Sequence, residues 1–171
     1  GNAVDFREVP DNVVIIESAI FDINNEKCSV LFETQVYNKC GDADVTIDKN
    51  THVDPSLKFF SGVPLMITSN VNLKNVLGNG TRCFGISLQL KRGCTLKCKA
   101  WDGRMIHTVS CLDVEYMICE TISNSKNEKP RQFKLEQEKD NVTITMKIFN
   151  MKHKIRVRMI QFGINSNKAT I

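Results

Sequence analysis

Between Phe84 and Leu90 apolar and polar residues alternate without a break, Phe84, Ile86, Leu88 and Leu90 against Gly85, Ser87 and Gln89. A period of two places each set on one side of an extended chain, so this stretch predicts a half-buried strand. The same period returns in Val142, Ile144, Met146 and Ile148, set against Thr143, Thr145 and Lys147. It appears again in Ile155, Val157 and Met159, whose partners Lys154, Arg156 and Arg158 put positive charge on one face. Lys91-Arg92-Gly93 turns the first strand, and Cys94 to Trp101 is expected to run back along it. Asp102-Gly103 is a strong hairpin signal, leading to a third strand from Arg104 to Cys111 and a fourth from Asp113 to Cys119. Four short strands so spaced predict a meander that curls into a small, partly open barrel. Val13 to Ile16 suits a short buried strand, Asp42 to Asp54 reads as an acidic loop, and Ser123 to Arg131, with Pro130, reads as another. One short helix is expected, Leu73 to Leu77, closed by Gly78.

A chain of 171 residues is long enough for one domain with its own core, or one domain and part of another. It opens on Gly rather than Met, which predicts a fragment. No apolar run approaches the ~18 residues of a membrane span, so no membrane partner is expected. The cysteines number seven, at 28, 40, 83, 94, 98, 111 and 119, mostly within apolar runs. An odd count of such residues predicts free thiols and an intracellular compartment, the nucleus among the candidates. Charge is unevenly spread. Residues 1–54 hold 4 Lys/Arg against 11 Asp/Glu, a net of −7. Residues 55–125 hold 8 against 4, and residues 126–171 hold 11 against 4, nets of +4 and +7. A basic region of this kind favours a polyanion such as nucleic acid, although a solvated basic face gives the same count.

Catalytic chemistry is sparse. No G-x-x-x-x-G-K-[ST] phosphate loop is present, and His52, His107 and His153 are scattered and lack nearby nucleophile signatures. A catalytic pair such as Cys111 with His107 would need only proximity, and local spacing carries no information for that chemistry. Cys94 and Cys98 would share a face of a strand, but zinc needs four converging ligands, and the surrounding apolar alternation fits buried thiols better. No catalytic and no metal residue is assigned. Among the aromatics, Tyr116 and Phe84 are expected in the core. Trp101, beside the Asp102-Gly103 turn and among Lys97, Lys99 and Arg104, is a candidate stacking platform for a base.

The segment "HVDPSLKFFSGVPLMITSNVNLKNVLGNGTRC" closely resembles a stretch of the petite-integration-frequency (PIF) and RecD-like superfamily 1 DNA helicases, shared by the helicases of Helitron transposons. Gly62, Pro64, Met66, Asn70, Asn79, Gly80, Thr81 and Arg82 match its pattern in order. "WDGRMIHTVSCLDVEYMICE" resembles the continuation, and "QFGINSNKAT" resembles the strand leading into the T-x-H-K-x-Q-G motif of those proteins. Cys83 stands where many relatives have Gly.

The resemblance covers about residues 50 to 171 and implies part of an ATP-dependent DNA helicase that is inert alone. The implied fold is mainly β, a Src-homology-like barrel or meander attached to part of a RecA-like α/β domain. Residues 1–50 would form an acidic lead-in, 51–150 the barrel, and 151–171 a basic strand returning to the RecA-like domain. Single-stranded DNA and the remaining helicase domains are the implied partners; ATP and Mg²⁺ would be cofactors of the parent enzyme and not of this segment. The residues expected to meet the strand are Asn70, Asn79, Gly80, Thr81, Arg82, Lys91, Arg92, Trp101 and Arg104. For Asn79 the favoured reading is a plain Asn79-Gly80 tight turn, with Arg82 solvated. A free-standing β-barrel nucleic-acid module and a non-enzymatic protein-interaction domain are the alternatives. With no residue set able to bind a triphosphate and its Mg²⁺, the purified chain is predicted to show no ATP hydrolysis above background. Turnover that follows the protein through repurification would contradict that.

Overall fold

The computed structural model describes residues 2–22, 45–47, 54–68, 78–101, 103–123 and 126–166. They form thirteen strands in three sheets. β1 (Val14–Glu17), β4 (Ser56–Phe59), β7 (Lys97–Trp101) and β8 (Arg104–Ser110) make the first sheet, in the order β4-β1-β8-β7. β5 (Val63–Ile67), β6 (Arg82–Leu90), β9 (Val114–Thr121), β10 (Gln132–Leu135) and β13 (Ile164–Asn165) make the second, in the order β10-β9-β6-β5-β13. The third runs β2-β12-β11-β3, from β2 (Ala19–Phe21), β3 (Val45–Ile47), β11 (Gln137–Ile148) and β12 (Met151–Phe162).

The expected piece of a RecA-like α/β domain is absent from the described residues. Their only helical turns are two three-residue 3-10 turns, Pro10–Asn12 and Cys111–Asp113. A RecA-like sheet needs parallel strands joined by crossover helices. Here the late basic strand, β12, instead folds back on β11 through the two-residue turn Phe149-Asn150 and pairs antiparallel with it from Gln137↔Phe162 to Ile148↔Met151. The expected helix at Leu73 to Leu77 lies outside the described residues. No helix among the described residues is long and apolar enough to cross a membrane.

The meander also differs from expectation. β7 does not run back along β6; the β7–β8 hairpin leaves that sheet, and β8 pairs in parallel with β1 from Val14↔His107 to Glu17↔Ser110. β6 takes β9 and β5 as neighbours instead. The acidic stretch holds a short strand as well, since Val45–Ile47 pairs with Ile144 to Met146.

The alternation along β6 hides a break. Cys83 and Gly85 are buried in its first half, Leu88 and Leu90 in its second, while Phe84 and Ile86 are only half-buried. A bulge between Gly85 and Ser87, visible against β9, shifts the phase by one residue and turns the strand over. Gly85 faces the main core, where a Cβ would lie 2.5 Å from Cε2 of Phe59 and 2.9 Å from Cγ1 of Val63. That core gathers Val14, Ile16, Leu57, Phe59, Leu65, Leu88, Met117 and Phe162, with the Phe6 ring tilted against Phe59 at 5.2 Å. A separate cluster of Ile20, Val142, Ile144, Met146, Val157 and Met159 fills one side of the long hairpin.

The base of that hairpin is bonded to the turn at Cys111–Asp113. Gln137 Nε2 donates to the carbonyls of Cys111 (2.7 Å) and Val114, and Cys111 Sγ donates to Ile160 O at 3.0 Å. Buried Gln161 donates to Ile16 O at 3.0 Å and accepts from the Phe162 N–H at 3.0 Å, joining β12 to β1.

Gly85→Ala is predicted to destabilise the fold by about 1–3 kcal/mol, the usual cost of overpacking a filled core. Urea unfolding should show a lower midpoint at unchanged m-value; an unchanged midpoint would mean that the Phe59 ring yields freely.

Candidate nucleic-acid interface

The corner from Gly78 to Arg82 is a hydrogen-bonded turn. Thr81 N donates to Gly78 O at 3.1 Å, and Gly80 N and Ile67 N donate to Ile67 O and Thr81 O, both at 2.8 Å. Gly80 sits at φ +92, a backbone region that suits glycine. The Gly80 and Thr81 amides are thus already bonded, and an anion at this corner meets the exposed Arg82 side chain rather than a nest of N–H groups. Asn79 is exposed and Thr81 half-buried. Asn70 lies outside the described residues.

Lys91 and Arg92 are exposed at the other end of β6. Nine strand rises separate Arg82 from Lys91, about 30 Å at about 3.4 Å per residue, so the two ends cannot share a phosphate. Arg104 is in a third place, opening β8 opposite Trp101, whose backbone ends β7. Tyr116 is half-buried on β9 with Lys134 Nζ 4.4 Å from its ring centroid, rather than fully in the core.

A denser basic surface surrounds Arg104. Leu57 and Phe59 point into the core, so Lys58 between them points out, beside Ile15 in the register of β4 and β1. Lys97 and Lys99 on β7 pair with Thr108 and Ile106, on the same outer side. All four cations are exposed. Lys99 meets Glu17 at 3.2 Å, an exposed pair worth at most about 1 kcal/mol. Lys58, Lys97 and Arg104 make no ion pair among the described residues. Where the chain enters β1, a cavity of about 460 Å³ is lined by Pro10, Ile15, Met105 and Ile106, by the cations Lys58 and Arg104, and by Asp11 and His107. Met105 there is 56% exposed. This is an apolar hollow flanked by two cations, the chemistry of a base with its phosphates.

A second cavity, about 400 Å³ between Val4, Phe6 and Ile86, lacks that character. Its one cation, Arg7, is bonded to Asp5 at 2.7 and 2.9 Å, and those hydrogen bonds hold the Asp5 carboxyl at about 2.

Lys58 carried no motif; only the three-residue alternation Leu57-Lys58-Phe59 signals that it faces out. The described cysteines do not converge: Cys83 and Cys119 form a buried hydrogen-bonded pair, Cys111 is buried elsewhere, Cys94 is half-buried and Cys98 is exposed. The bond from Cys83 and burial push the Cys119 thiol well up, and burial pushes Cys111 up to about 12. No group of three metal-ligating side chains occurs among the described residues.

No family model matches this sequence, and no curated protein matches it. Among solved structures, the chain is similar to the Pif1 helicase from Candida albicans, at 17% identity and a TM-score of 0.45, over 91% of this chain and 29% of that one. It is also similar to the unliganded Pif1 from Bacteroides sp, at 15% identity and a TM-score of 0.37, over 81% of this chain and 37% of that one. The chain thus spans well under half the length of either, and the similarity is distant.

The thiol environments predict selective labelling. Iodoacetamide at pH 8 should modify Cys98 in the folded chain and leave Cys111 intact, because the thiolate is the nucleophile and Cys111 holds its proton to about pH 12. Peptide mapping checks this, and rapid labelling of Cys111 would contradict its burial.

Proposed function

We propose that this β-rich chain binds single-stranded DNA, without reading its sequence, across the outer side of the β4-β1-β8-β7 sheet. The carrying observation is the apolar hollow at Ile15 and Ile106 flanked by Lys58 and Arg104. Phosphates would sit on Lys58, Arg104 and Lys97, and a base would lie in the hollow. Lys99 is partly neutralised by Glu17 and contributes less. Arg82 at one end of β6 and Lys91 and Arg92 at the other are outlying contacts that only a strand of several nucleotides could reach together. In a longer protein of the helicase type, such a module would hold the translocating strand while ATP and Mg²⁺ are bound by other domains.

Contacts of this type come from lysine and arginine on phosphate, so affinity should be modest, about 1–100 µM near physiological salt. It should fall as salt rises, by about 0.7 in the log–log slope for each phosphate contact on a single strand. Lys58→Ala with Arg104→Ala is predicted to flatten the slope by about 1.4 and to weaken all sequences alike, since phosphate contacts carry no base information. Fluorescence anisotropy with labelled oligonucleotides across a salt series measures both. Binding indifferent to salt, or unchanged in the double variant, would leave this basic surface as solvated charge.

A further inference from the structure

The β11–β12 hairpin ends in a conformation that its sequence does not favour. Phe149 and Asn150 form the turn with φ of +51 and +62, the mirror-image turn that suits two-residue hairpins. Asn tolerates that backbone, but a bulky aromatic in it is an outlier, and such strain clusters at functional sites. The Phe149 side chain gains no burial in return: it is 96% exposed, with Met151 beside it 64% exposed.

The stem below carries its lysines and arginines on one side. Strand pairing puts Lys147 opposite Lys152, Thr145 opposite Lys154 and Thr143 opposite Arg156. These alternate with the pairs Ile144–Ile155 and Val142–Val157, whose side of the hairpin forms the smaller apolar cluster. Lys147, Lys152, Lys154 and Arg156 are all exposed, and none makes an ion pair among the described residues. Lys152, Lys154 and Arg156 recur at about 7 Å, two strand rises, a step close to that between successive phosphates of an extended single strand. The row ends at the turn that carries Phe149.

We propose that this hairpin is a second contact for single-stranded nucleic acid. Phosphates track along Lys152, Lys154 and Arg156, and a base stacks on Phe149 at the tip. An anionic bilayer would also attract the cations, and its interface also takes aromatic side chains. The regular row of cations at about 7 Å favours an extended strand, and vesicles serve as the competing probe. The inference rests on the function proposed above, and its test separates the two.

The test measures affinity of the full chain for a labelled 20-nucleotide oligothymidine across a salt series, with vesicles of phosphatidylserine and phosphatidylcholine as the competing probe. Phe149→Ala should weaken oligonucleotide binding about 5- to 100-fold through lost stacking, at unchanged salt slope. Phe149→Trp should restore it and Phe149→Leu should not. Lys154→Ala with Arg156→Ala should flatten the slope by about 1.4. These side chains are solvent-exposed, so thermal melting should be unaltered in every variant. Hairpin variants that bind like the unaltered chain, while Lys58→Ala with Arg104→Ala weakens, would overturn the inference and leave the proposed function standing. Rescue by Leu as well as Trp would overturn stacking. An unaltered chain that ignores the oligonucleotide, or captures vesicles through Phe149 instead, would overturn both.

Discussion

The contact between Phe59 and the bare backbone at Gly85 fixes which faces of β4 and β6 are buried and which are exposed. Phe59 is fully buried against Phe6 and Gly85, which brings β4 of one sheet onto β6 of the next. Because Leu57 and Phe59 must face in, Lys58 faces out. Because Gly85 faces in, Phe84 and Ile86 are turned outward, and only the bulge after Gly85 returns Leu88 and Leu90 to the core. The N-terminal segment then runs beside the second half of β6, with Val4 N donating to Leu88 O and Leu90 N to Asn2 O, each at 3.0 Å. One missing methyl group thus sets which way two strands present their charges.

Periodicity made the long strands legible. Val142 to Met146 and Ile155 to Met159 alternate in space as they do in sequence, because β11 and β12 pair without a bulge over their whole length. The same reasoning placed Phe84 and Ile86 with the core and failed, since a one-residue bulge leaves the apolar count unchanged while reversing its phase. Gly85 was the available signal: a glycine inside an otherwise regular strand marks a bulge or a close approach. Partners were harder to read than strands. Lys91-Arg92-Gly93 looks like a hairpin turn, yet β7 crosses to another sheet, because the free edge of β1 accepts β8 in parallel and no local pattern encodes that long-range pairing.

The candidate site was legible as chemistry and not as geometry. Arg82, Lys91, Arg92 and Arg104 all lie at strand ends, where turns expose them, but β6 holds the first two far apart and β8 carries the last into another sheet. The cations that gather on flat strand surfaces were quieter in the sequence. Lys58 sits in a run that otherwise reads as core. The row in β12 was visible as alternating charge, but its extension across the turn to Lys147, and the exposure of Phe149, depend on the register of the two strands.

Both cationic surfaces hang on strands joined by one buried amide. Gln161 on β12 reaches Ile16 of β1 and also accepts from its own neighbour's N–H, so donor and acceptor are both satisfied at zero exposure. Replacing it with an apolar side chain would strand a buried carbonyl, at about 1–3 kcal/mol. That cost gives the arrangement its meaning. β1 carries Ile15 of the hollow and continues through Ser18 into β2, which pairs with β12 from Arg158↔Phe21 to Ile160↔Ala19. Two weak phosphate-binding surfaces tied in this way, as proposed, would act on one polyanion as linked sites, with binding at the first raising the effective concentration at the second. A strand too short to reach both gains nothing from the link, whatever its bases. On the proposed function, such a pair of surfaces would discriminate by the length and flexibility of the strand.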